Sequence, residues 1–121
     1  MRTFTSETGA KPVEDWVRSL DAEARSEVLH TISLLRRQGI ALGMPFAKNL
    51  GGNLWELRAR GPDGIYRVIY FHWKGRTFGL VHGFTKKAQA TPRRELEIAR
   101  TRQQTWLSRP RAQLRKDHED G

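Results

Sequence analysis

Leu54-Trp55-Glu56-Leu57-Arg58-Ala59-Arg60 is where the periodicity of the chain changes. Upstream, apolar residues recur every three or four positions. From Leu54 onward they alternate, with Trp55 and Leu57 on one side and Glu56, Arg58 and Arg60 on the other. That alternation predicts a β-strand with one face on a core. Gly61-Pro62-Asp63-Gly64 reads as a turn, and Ile65 to Trp73, rich in β-branched and aromatic residues, reads as a second strand. Lys74-Gly75 makes the next turn, and a third strand runs from about Arg76 to Phe84. Two short turns in succession predict an antiparallel meander.

Working back toward the N-terminus, residues 40–52 carry Gly43, Pro45 and the pair Gly51-Gly52, and read as a loop. Before them, Pro12 stands where a first helical residue belongs. Val13, Trp16, Val17 and Leu20 follow at i, i+3, i+4 and i+7, which predicts an amphipathic helix over about 12–20. Asp21 is placed to cap a second helix, whose buried stripe is Ala24, Val28, Ile32 and Leu35, with Leu29 beside it and Gly39 as its stop. The two form a helical hairpin whose plain role is scaffold. Thr3-Phe4-Thr5 is a candidate edge strand, able to join either edge of the meander.

Toward the C-terminus, Thr91-Pro92 reads as N-cap and first residue of a last helix, with Leu96, Ala99, Gln103 and Trp106 at helical spacing. Beyond Pro110 there is almost nothing to bury, and residues 110–121 are expected to be a mobile charged tail. The expectation is therefore one α+β domain over 1–109. In it an N-terminal helical hairpin packs on a small three- to four-stranded antiparallel sheet, with a C-terminal helix.

Composition narrows the functional classes. The chain has 121 residues and no cysteine, which excludes disulfides and thiolate metal sites and suits a reducing cytoplasm. No apolar run approaches the roughly 18 residues that span a membrane, so no membrane role is expected. The formal net charge is +9, and it is unevenly placed. Residues 1–40 balance 6 Lys/Arg against 6 Asp/Glu, whereas residues 41–116 hold 16 against 4. A one-sided excess of this kind is the footprint of a polyanion binder.

The chemistry-bearing candidates sit on the meander. Glu56, Arg58 and Arg60 share one strand face, and Arg67 interrupts the apolar run Ile65-Tyr66-Arg67-Val68-Ile69-Tyr70. An arginine in a central strand must be paired or face an open groove, because a buried unpaired charge is costly. Lys86-Lys87 ends the third strand. Neighbouring strands lie about 4.8 Å apart, so these positions can converge into a groove lined by Arg and Lys around one carboxylate. The plainer alternative is that Glu56 pairs with Arg67 or Arg58 on a solvated face. Of the four histidines, His30 reads as surface, His72 as a satisfied strand residue, and only His82 is placed to approach the groove. None has metal-ligand spacing, so no metal or cofactor is expected.

Taken in order, Leu54-Trp55-Glu56-Leu57-Arg58, Ile65-Tyr66-Arg67-Val68-Ile69-Tyr70 and His82-Gly83-Phe84-Thr85-Lys86-Lys87 resemble the HigB-like branch of the RelE/ParE toxins. Gly9-Ala10-Lys11-Pro12-Val13-Glu14 and Ala90-Thr91-Pro92-Arg93-Arg94-Glu95 are similar to that branch too, and the resemblance covers about residues 2–107. It implies a toxin that cleaves mRNA in the ribosomal A site and is neutralised by an antitoxin, often a helix-turn-helix protein. It further implies metal-independent attack of a 2′-OH on the adjacent phosphate, leaving a 2′,3′-cyclic end. Arg67, Lys86, Glu56 and Arg58 would be the catalytic set, Arg67 supporting the scissile phosphate. Arg60, Lys87, His82, Arg93 and Arg94 would hold the RNA. Neighbouring arginines make Glu56 a poor base, which leaves Lys86 or Lys87 as a substitute. On this reading Arg67→Ala abolishes cleavage and leaves the fold intact.

Two other functions fit the same charge pattern. A ParE-like protein on this fold would poison DNA gyrase, and its effect would survive alanine at Arg58, Arg67 and Lys86. A non-catalytic nucleic-acid-binding module would bind in a salt-dependent way and never cut.

Overall fold

The computed structural model describes residues 1–61, 64–86 and 91–109. Pro62 and Asp63, expected in a turn, residues 87–90 with Lys87, and residues 110–121, expected as a tail, lie outside them. The elements in order are β1 (Arg2–Thr3), α1 (Pro12–Ser19), α2 (Ala22–Gln38), a 3-10 turn (Gly39–Ala41), β2 (Ala47–Gly51), β3 (Leu54–Gly61), β4 (Gly64–Lys74), β5 (Thr77–Lys86) and α3 (Arg93–Leu107).

The α+β class and the β3–β4–β5 meander are as expected, but the sheet is larger and is not purely antiparallel. It has five strands in the order β1-β5-β4-β3-β2, and β1 pairs with β5 in parallel. The residues read as a loop contain β2, antiparallel to β3. β2 escapes a hydrophobic pattern because it is an edge: of its five residues only Ala47 is buried. Its strand character comes from hydrogen bonds to β3 rather than from apolar side chains.

Asp21 caps α2 as expected, its Oδ1 accepting the Ala24 N–H at 2.8 Å. Gly39, at φ 58°, ends the helix in a conformation that side-chain-bearing residues avoid. The two N-terminal helices pack side by side rather than mainly on each other, α1 against β5 and α2 against β3. Val13, Ala24, Val28 and Leu35 meet Leu57, Val68, Tyr70 and Leu80 to form one core.

The other face of the sheet is covered as well. Ile69, Phe71, Val81 and Phe84 pack on Ala99 and Trp106 of α3, forming a second core that also takes in Phe4. β4 therefore lies between two cores, and every residue from Tyr66 to Phe71 is buried. The chain is three-layered, with α1 and α2 on one face and α3 on the other. Among the described residues no helix is long and apolar enough to cross a membrane.

Candidate functional site

Strand register places the charged residues on the α3 face. Glu56 pairs with Ile69, and Ile69 with His82, so these three form one row across β3, β4 and β5. Arg58, Arg67 and Phe84 form the next row, and Arg60, Ile65 and Lys86 stand in register beyond it. The pleat directs every second residue to the same face, so the expected convergence of Glu56, Arg58, Arg60 and Arg67 follows from register alone.

What the face does with those charges differs from an open groove. Glu56 and Arg67 are both fully buried, at 0% exposure. The Arg58 Nε donates to Glu56 Oε1 at 2.8 Å, and the Arg67 Nη1 donates to Oε2 at 3.4 Å. The Thr91 hydroxyl donates to Oε2 as well. Thr91 was expected to cap α3. Instead its hydroxyl goes to the buried carboxylate, Pro92 occupies the cap position, and the helix begins at Arg93 without a side-chain cap. Glu56 does pair with Arg58 and Arg67, yet inside the protein and not on a solvated face. Of the two choices open to a central-strand arginine, Arg67 takes the paired one.

Arg58 is the member of this cluster that reaches the surface, its side chain 16% exposed. Arg60, at the end of β3, and Arg93 and Arg94, at the start of α3, are exposed, with Arg93 lying 3.3 Å from Glu97. A carboxylate whose two oxygens already accept three donors is an anchor: it fixes Arg58 and ties the start of α3 to β3. The exposed guanidiniums are suited to phosphate oxygens, which they bind bidentately without losing charge at neutral pH.

Beside this cluster is a second one that the sequence did not disclose. Ile69 pairs with His82 and Tyr70 with Leu80, so Val81 is an extra residue, a β-bulge in β5. The bulge lets both Val81 and His82 face α3, whereas strict alternation would send one of them to the α1 side. Arg102 Nη1 donates to the Val81 carbonyl at 2.9 Å and to His82 Nδ1 at 3.1 Å. Since guanidinium only donates, Nδ1 accepts, and the proton sits on Nε2, which donates to Glu95 Oε1 at 3.1 Å. The ring stacks on Phe84 at 5.4 Å. Burial pulls the His82 pKa below its ordinary value; the Glu95 carboxylate opposes this in part, and the Arg102 charge adds to it.

Glu95 and Arg102 were not singled out from the sequence, although the helical pattern holds a faint signal for them. With Ala99 and Trp106 they stand at i, i+4, i+7 and i+11, the polar positions of the stripe that packs on the sheet. His72 is satisfied as expected, its Nε2 2.7 Å from the Gly75 carbonyl, and His30 is exposed. Trp73, near the end of β4, packs edge-on against Trp106 at 5.3 Å. Among the described residues no group of three or more His, Asp or Glu is disposed to hold a metal ion.

Residues 15–104 match the family described as phage-derived protein Gp49-like (DUF891). The chain belongs to that family. It is also 34% identical, over 59 residues, to proteins named "Probable endoribonuclease HigB1" from Mycobacterium tuberculosis, in strains CDC 1551 / Oshkosh and ATCC 25618 / H37Rv. That match covers 49% of this chain and 46% of each relative, so the chain spans about half the length of the curated relatives it matches. As a Gp49-like protein it is HigB/RelE-like, in line with the resemblance carried by its meander motifs. The family match begins inside α1 and ends inside α3, and so takes in both charged clusters on the α3 face.

Proposed function

We propose that this Gp49-like protein is the toxin of a type II toxin–antitoxin pair and an endoribonuclease acting on ribosome-bound mRNA in the cytoplasm. One observation carries the reading: the Glu56–Arg58–Arg67 cluster fixes Arg58 at the surface, beside the end of β3 and the start of α3, which carry Arg60, Arg93 and Arg94. The name of the Mycobacterium tuberculosis relatives supports RNA cleavage as the activity.

In this mechanism the 2′-OH attacks the adjacent phosphorus, the bond to the 5′-oxygen breaks, and a 2′,3′-cyclic phosphate remains. Arg58 touches the phosphate and stabilises the charge that develops on it. Arg67 has no exposed surface and acts as a positioning residue, through Glu56 and then Arg58. Lys86, or Lys87 beyond the described residues, takes the 2′-proton, since the bonds already made to Glu56 leave it a poor base. Arg60, Arg93 and Arg94 hold the strand, and His82 acts through Glu95. The antitoxin partner is a helix-turn-helix protein.

The test is an mRNA cleavage assay with and without programmed ribosomes, followed by analysis of the new 3′ ends. Ribosome-dependent cuts ending in a 2′,3′-cyclic phosphate are expected. Absence of cuts from folded protein in both settings rejects the enzymatic reading and leaves gyrase poisoning or plain nucleic-acid binding.

A further inference from the structure

The opposite face of the sheet carries a separate basic hollow. Arg36 and Arg37, at the end of α2, and Arg76, in the β4–β5 turn, line a pocket of about 350 Å³ together with His72 and Phe78. Among the described residues no acidic side chain lines it. Among the described residues none of the three arginines forms an ion pair or a side-chain hydrogen bond. The helix dipole favours Arg36 and Arg37 where they stand. It does not account for Arg76, which arrives from another element and adds like-charge repulsion. An anion in the hollow removes that repulsion and satisfies the guanidinium donors.

A second hollow, of about 150 Å³, adjoins the first and shares Ile40, His72 and Phe78 with it. Trp55 and Tyr70 complete its aromatic wall. His72 is held at the junction: its backbone is bonded both ways to the Asn53 side chain, and its ring lies 5.3 Å from Phe78. Three guanidiniums next to a ring-lined hollow match the repeating unit of single-stranded nucleic acid, a phosphate followed by a planar base. His72 and Phe78 pair near the β4–β5 turn and Phe78 belongs to the α1/α2 core, so this site lies on the other face from Arg58 and Glu56.

We infer that Arg36, Arg37 and Arg76 form a second RNA site, binding one backbone phosphate while the neighbouring base enters the Trp55–Tyr70–Phe78 hollow. The site takes from the proposed function only the class of polyanion. It anchors a strand at a distance from the candidate site.

The test uses the full chain and a short single-stranded oligouridylate carrying 4-thiouridine, and reads binding rather than cleavage. The variant Arg36→Gln/Arg37→Gln/Arg76→Gln changes only exposed side chains, and unaltered melting verifies its fold. Its Kd by fluorescence anisotropy should rise at least about tenfold. The slope of its salt dependence should flatten by about 0.7 for each phosphate that is no longer neutralised. Photo-crosslinks in the unaltered protein should fall on peptides spanning Ile40, Trp55 or His72–Phe78. An unchanged Kd and salt slope, or crosslinks confined to Arg58–Arg60 and the start of α3, overturn the proposal. So does tight binding of a polyglutamate peptide that the variant loses while its RNA binding is untouched. Failure of the wild-type protein to cut RNA would unseat the proposed activity without altering any of these readings.

Discussion

Glu56 and Arg67, on adjacent strands, form an ion pair 3.4 Å apart with neither side chain exposed to solvent. Arg58 and Thr91 bind the same carboxylate, so one acidic residue gathers β3, β4 and the start of α3. The pair is both a structural element and the base on which the exposed part of the candidate site stands.

Breaking it should be severe. Glu56→Gln removes the counter-charge of a buried guanidinium and is expected to cost about 3–5 kcal/mol. Arg67→Ala should cost a similar amount, which corrects the expectation that the fold would survive that change intact. The apolar double variant Glu56→Leu/Arg67→Met should recover much of the loss. Urea denaturation of the three proteins checks this, and a double variant no more stable than either single one refutes it.

Because Arg67 is a risky variant for activity, Arg58 is the better probe. Arg58→Lys keeps the charge but loses the planar fork that binds a carboxylate or phosphate with two parallel bonds. Cleavage of ribosome-bound mRNA should fall roughly 100-fold, with KM changed far less than kcat. Wild-type rates in this variant would show that Arg58 makes no contact in the transition state.

His82 should make stability depend on pH. Its folded pKa lies below the ordinary 6.5, so between the two values the unfolded chain binds more protons than the folded one. The contribution from burying the neutral ring is then complete above pH 6.5 and is lost as pH falls below it toward the folded pKa. The Glu95 carboxylate and the Arg102 guanidinium face the ring, and Phe84 covers it. Urea midpoints measured from pH 7.5 down to 5 should decline more steeply in the wild type than in His82→Gln. Parallel curves would mean that His82 contributes nothing to the slope.

Gly83 is needed for packing. A Cβ there would strike the Trp16 ring of α1, which lies flush on β5. Gly83→Ala is expected to cost about 1–3 kcal/mol through overpacking, and the companion change Trp16→Leu should return part of it. Thermal melts of the single and double variants decide the matter; an unaffected single variant would mean that α1 shifts freely on the sheet.

The sequence by itself determined the elements whose stabilisation is local or periodic. α1 and α2 follow from their stripes and from Pro12, Asp21 and Gly39, and the alternation after Leu54 determines β3. The lone arginine in the apolar run Ile65–Tyr70 marks β4 as central, while its choice between a partner and an open groove was left to the packing. The basic excess and the ordered motifs of the meander are likewise readable without coordinates, and they carry the family resemblance.

Tertiary structure alone decided what rests on distant partners. β2 and the parallel β1 are edge strands, built from backbone hydrogen bonds to β3 and β5, and such bonds leave little mark on side-chain pattern. The burial of Glu56 depends on α3 closing over the sheet, from residues far along the chain, which no spacing within β3 can announce. The bulge at Val81 shifts register by one residue, and that shift turns His82 toward Glu95 and Arg102. A one-residue slip reverses the face of every side chain that follows it. The alternation of a strand can therefore be read from its sequence, whereas the partner each face meets is set only when the layers pack.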